Sequence, residues 1–127
     1  MKYLIVTILI SFNVMAEIKM NDQCGEQNNI TKESRLYNNI KWKTASEQDN
    51  FGYDIYRADT QEGEYKIVNE DMLEGAGTTS DTTSYEFHDD SIDPCKRYYY
   101  YIESISMEGH REAFTPKFRS KLKVQPK

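Results

Sequence analysis

The 127 residues are enough for one domain with a substantial core and too few for two. The net charge of −5 is uneven: residues 47–93 hold 14 acids against Arg57 and Lys66, while residues 94–127 hold 8 bases against Glu103, Glu108 and Glu112. The acidic middle argues against nucleic acid as the main partner, because phosphates need a basic face, and the basic end is too short and mixed to reverse that.

The chain begins with a signal-peptide pattern over residues 1–16: Lys2, an apolar run from Tyr3 to Phe12, and Val14 and Ala16 around a cut. An uncleaved anchor is the competing reading, but the run stops short of the roughly 18 apolar residues a membrane span needs. The residues before Cys24 (MNDQ) are too polar for a lipoprotein signal. Removing the signal leaves 111 residues with 15 bases and 21 acids, a secreted or periplasmic protein with no membrane span. Cys24 and Cys95 suit one disulfide in an exported chain, the alternative being two unrelated thiols.

Residues 17–29 are polar and read as an arm or an edge strand ahead of a domain over 30–127. Residues 30–32 are a candidate first strand. Residues 36–44 (LYNNIKWKT) put Ile40 and Trp42 on one face between exposed lysines. Residues 45–52 read as a turn-rich connection ending at Gly52, where a positive φ is available. Strands are expected at 53–57, with Tyr53 and Ile55 inward, at 65–68, and at 84–88, where Tyr85 and Phe87 share a face. Residues 69–83 are acidic and glycine-bearing and read as an irregular excursion. Residues 93–106 (DPCKRYYYYIESIS) read as a central strand with one buried face, on the parity of Tyr98, Tyr100 and Ile102. The last strand runs through 111–124, bent or bulged at Thr115 and Pro116 because proline cannot donate to a ladder. Seven short strands about ten residues apart, with no helical period, predict an all-β antiparallel sandwich.

Four stretches resemble a fibronectin type III-like domain, of the kind found in exported bacterial proteins. They are Ile40 and Trp42 followed by TASEQDNFGYDIYRA; residues 62–69 (EGEYKIVN); residues 84–89 (SYEFHD); and Ile92, Pro94, Tyr98, Tyr100 and Ile102 at their spacing. The resemblance covers about residues 30–124. It implies a seven-stranded fibronectin type III/immunoglobulin-like sandwich with Trp42, Tyr53, Ile55, Tyr85, Phe87, Tyr100 and Ile102 between the sheets. Tyr98 would then be a tyrosine corner, its hydroxyl returning to backbone a few residues upstream. The chain departs from the family at Cys95, where a small residue, often glycine, is usual; a bridge to Cys24 would explain the exchange.

Little in the sequence points to catalysis. The G-x-S-x-G, H-E-x-x-H, P-loop and Rossmann patterns are absent. His88 beside Asp89 reads as a surface histidine at a strand end, since no nucleophile is placed near it. Asp81, Asp89, Asp90 and Asp93 offer the hard oxygens calcium uses, but without EF-hand spacing, and turn acids are common for their own hydrogen bonds. The protein is therefore expected not to be an enzyme and to need no cofactor or metal. By parity, Asp54, Tyr56, Tyr99 and Tyr101 point away from the core on two strands that the resembled fold makes neighbours. That patch is a candidate platform for a protein or glycan; the plain alternative is cross-strand pairing that only stiffens the sheet. Lys117, Arg119, Lys121 and Lys123 alternate along the last strand, ahead of Lys127, and read as a guard against edge-to-edge aggregation, the alternative being attraction of an anionic envelope polymer. The function expected is an exported, non-catalytic binding or scaffolding module at the cell envelope or beyond it. The alternative is an accessory or inhibitor domain of a carbohydrate-active enzyme system.

Overall fold

A computed structural model describes residues 23–124. The signal peptide, the first six residues of the arm or edge strand at 17–29, and Lys127 lie outside the described residues. Among the described residues the fold is all-β, with eight strands in two antiparallel sheets and a single 3₁₀ turn at Lys32–Ser34. The strands are β1 (Asn38–Thr44), β2 (Glu47–Ala58), β3 (Lys66–Ile67), β4 (Leu73–Thr79), β5 (Thr83–Asp89), β6 (Tyr99–Ser106), β7 (Arg111–Ala113) and β8 (Phe118–Arg119). β1 and β5 form the smaller sheet. In the larger one β2 pairs with β6, β3 and β4 share the far edge of β2, and β7 and β8 share the far edge of β6.

Three expectations about the strands need correction, so eight stand where seven were expected. Residues 30–32 are not a strand: the Ile30 N–H returns to the Gln27 carbonyl, and the 3₁₀ turn follows. The stretch 69–83 contains β4, where Gly75 is needed for close packing and Gly77 takes a positive φ of 71°. A Cβ on Gly75 would drive into the Asn50 side chain and sit 2.9 Å from the Asn50 carbonyl oxygen. The last strand is split, with the break at 114–117, around the expected bend at Thr115 and Pro116. There the Thr115 hydroxyl accepts the Ile102 N–H at 3.0 Å, in place of the missing ladder bond.

β2 also starts earlier than its composition implies. Only Ala45 and Ser46 separate it from β1, and a bulge between Asn50 and Gly52 absorbs the polar run. The left-handed residue is Asp49 (φ 55°) and not Gly52; short polar side chains tolerate that region. The polar start of β2 is anchored inside. Glu47 is buried and accepts hydrogen bonds from the Thr44 hydroxyl (2.8 Å), the Tyr85 hydroxyl (2.5 Å) and the Ala76 N–H (3.1 Å).

The core between the sheets is Ile40, Tyr53, Ile55, Ile92, Tyr98, Tyr100 and Ile102, with Trp42, Tyr85, Phe87 and Phe118 packed against it half-buried. Trp42 stacks on Tyr85 (5.2 Å between centroids) and meets Tyr53 edge-on (5.4 Å). Each such side chain contributes about 1.5–3 kcal/mol by leaving water. Tyr98 turns the corner into β6: its hydroxyl oxygen accepts the Asp93 N–H at 2.8 Å. Beside this corner Cys24 is bonded to Cys95, with Cα atoms 5.2 Å apart. The N-terminal segment is sewn to the same place. The Gly25 N–H donates to Asp93 Oδ1, and the buried Gln27 amide donates to the carbonyls of Leu36, Asp90 and Ile92 while accepting the Leu36 N–H. Among the described residues no helix is long and apolar enough to cross a membrane.

Candidate functional site

The outer face of the larger sheet is set by the β2–β6 register, which puts Asp54 opposite Glu103, Tyr56 opposite Tyr101 and Ala58 opposite Tyr99. Period-two alternation then aims all of these away from the core. The Tyr56 and Tyr101 rings lie parallel (2° apart, centroids 4.8 Å), and Tyr65, from the connection into β3, closes on Tyr101 at 5.2 Å. Lys117, from the β7–β8 connection, sits 5.0 Å over the Tyr65 ring. The detour of the chain at 114–117 leaves an open groove of about 620 Å³ beside this row, walled by Tyr65, Tyr101, Ala113, Thr115 and Pro116.

A polar network underlies the aromatic row. Arg111 on β7 donates from one nitrogen to Asp54 Oδ2 (2.9 Å) and Glu103 Oε1 (2.7 Å). Tyr56 donates to the same Glu103 oxygen at 3.0 Å. Asn69 holds Asp54 from the other side, donating to Oδ1 at 2.8 Å while accepting the Ile55 N–H at 2.7 Å. Charge and burial show in the ionisation of these groups. Burial first, and then the Glu103 carboxylate, push the Tyr56 hydroxyl up to about 12, and the same two causes raise Tyr101. The bonds to Asp54 and Glu103 raise the Arg111 guanidinium still further above its ordinary value.

The four residues expected on this face are therefore distributed unevenly. Tyr56 and Tyr101 are brought together as a half-buried stack, with the Tyr56 hydroxyl donating to Glu103. Asp54 points to the expected face but is only 6 % exposed, and its two oxygens accept from Asn69 and Arg111. Tyr99 lies on the same face opposite Ala58 and Arg119, outside the stacked row. Tyr65, Asn69, Arg111 and Lys117 were missed. They come from connections and an edge strand, where strand parity carries no signal about orientation.

The stacking also bears on chemistry. A sugar is held by an open ring face, whereas here the facing sides of Tyr56 and Tyr101 cover each other and one side of Tyr65 is taken by Lys117. The neighbouring carboxylates Asp54 and Glu103 are both paired with Arg111, which stabilises their charge.

At the corner, Asp89 is filled by Arg57, Tyr100 and Ser91, and Asp93 by the Gly25 and Cys95 N–H groups. Asp90 faces Arg35 at 3.8 Å. Among the described residues no group of three or more His, Cys, Asp or Glu is placed to hold a metal ion. His88 is stacked on Tyr37, with centroids 4.1 Å apart, and its Nε2 lies 3.4 Å from Glu86 Oε1. Compared with known proteins, the chain matches no family model, no curated protein and no solved structure.

Proposed function

We propose that the protein is an exported, non-catalytic binding module with fibronectin type III-like connectivity, and that its contact surface is the Tyr56–Tyr101–Tyr65 face of the larger sheet with the adjoining groove. The observation that carries this reading is the aromatic row itself. Three tyrosines on two strands and a connection are braced from the side by Arg111, Glu103 and Asp54, and stand beside an open groove. Preordered tyrosines bury a large area on binding at little further entropy cost. Rings whose faces already cover one another suit a protein surface better than a sugar ring, so the partner class is protein. Support for export comes from the pattern of residues 1–16 and from the disulfide, which belongs to an oxidising compartment.

Site-specific photo-crosslinking in the exporting cell tests this. A crosslinker in place of exposed Ala113, on the groove wall, is expected to capture a discrete protein partner. The same group in place of exposed Asn39, on the smaller sheet, is expected not to capture it. Equal capture from both positions, or from neither, contradicts the assignment.

A further inference from the structure

The two sides of the sandwich carry opposite charge and, among the described residues, strand edges without a ladder partner. On one side β1 lies over β8, across a cleft lined by Asn39, Arg119, Lys121 and Lys123. With Lys41 and Lys43 of β1 this side is basic, Glu112 of β7 being its nearby acid. On the other side β5 lies over the β3–β4 connection, across a cleft reached by Phe87, His88, Glu70 and Asp71. Exposed Glu74 and Asp81 add to Glu70 and Asp71 to make this side acidic, while Glu86 of β5 is paired across the sheet with Lys41. Lys66 lies in β3, and Lys32 and Arg35 lie at its foot, Arg35 facing Asp90. Among the described residues Glu70, Asp71, Glu74, Lys43, Arg119, Lys121 and Lys123 form no ion pair.

Among the described residues β1 and β5 also pair only with each other, so each leaves one edge of a seven-residue strand without a ladder partner. Such edges recruit strands unless charge prevents it. Here charge is selective. Pairing β1 with β1 sets lysine against lysine, and pairing β5 with β5 sets Glu86 against Glu86. Pairing β1 with β5 sets lysines against Glu86, as Lys41 already does within the sheet at 3.4 Å. Because β1 and β5 run antiparallel, displacing a second copy sideways brings its β1 beside the first copy's β5 in antiparallel sense again.

We propose that the protein self-associates head to tail, the basic β1–β8 side of one copy docking on the acidic β5–β4 side of the next and continuing the smaller sheet. The contact is heterologous and does not close, so it yields chains of copies and not a fixed dimer. Sedimentation velocity on the full, oxidised protein tests it. At low ionic strength the sedimentation coefficient is expected to climb with concentration, and to return to the monomer value in high salt, where exposed charges are screened within a few Å. Glu70→Lys/Glu74→Lys and Arg119→Glu/Lys121→Glu, all at exposed positions outside the tyrosine face, are each expected to be folded monomers. An equimolar mixture of the two is expected to associate again. A wild-type monomer at every concentration, association that survives high salt, reversals that leave it intact, or a mixture that stays monomeric each overturns the proposal.

Discussion

Asp89 is 2 % exposed and accepts from Arg57 at 2.8 Å and Tyr100 at 2.7 Å, while Asn38 donates to the same Tyr100 hydroxyl. Asp89→Ala strands the Arg57 guanidinium beside the core and is expected to cost about 3–5 kcal/mol in urea denaturation. Tyr98→Phe deletes the acceptor of the Asp93 N–H and is expected to cost about 1–3 kcal/mol. An equal loss from Tyr99→Phe would argue against the corner. Glu47 behaves differently. Burial works to raise its carboxyl, but the hydrogen bonds from Tyr85, Thr44 and the Ala76 N–H outweigh it and hold the group below 4.5. A folded value below the unfolded one means its stabilisation is complete above pH about 4.5 and is lost as pH falls through the folded value. Glu47→Gln is expected to flatten this part of the acid limb in melting curves taken against pH. The buried tyrosines set the opposite limb. Burial first lifts Tyr53 to about 12 and raises Tyr85 and Tyr100 further, the last two also facing Glu47 and Asp89. Their neutral forms stabilise the fold fully below the unfolded value of about 10, and that contribution drains away as pH rises through the folded values. Tyrosinate absorbance from these rings is expected to appear together with unfolding.

Strands with apolar alternation, such as β1, β5 and the Tyr98–Tyr100–Ile102 parity leading into β6, were legible in sequence because one buried face imposes a period of two. β4 and the first half of β2 were not. Their inward positions are filled by glycine, asparagine and a carboxylate, so the pattern that announces a strand is missing although the ladder is made. Gly52 shows the constraint: a Cβ there would sit 2.6 Å from the Leu73 carbonyl oxygen, a backbone atom of the neighbouring strand. Gly52→Ala is expected to separate β2 from β4 at a cost of about 1–3 kcal/mol, visible as faster amide exchange across both strands. The candidate face was half legible for the same reason. Parity placed Asp54, Tyr56, Tyr99 and Tyr101, but it could not supply Tyr65, Asn69, Arg111 and Lys117 from neighbouring elements, nor the neutralisation of Asp54.

For the whole molecule, the disulfide spans 71 residues and fastens the segment around Gln27 beneath the Tyr98 corner. Reduction is expected to lower stability by up to about 4 kcal/mol, since it frees a long loop in the unfolded chain. It is expected to leave the tyrosine row in place, because among the described residues the ring contacts of that row are with one another and with Lys117. Binding and bridge are thus separable, and the surface can be tested in a folded protein. The most direct measurement compares what the oxidised wild type and a Tyr56→Ala/Tyr101→Ala variant of unchanged secondary structure retain from the cell envelope. The wild type is expected to hold a discrete protein partner that the variant releases, with at least a tenfold loss of affinity, as expected for truncating two central aromatic anchors. A folded variant that keeps the same partner at the same affinity would contradict the assignment of this face.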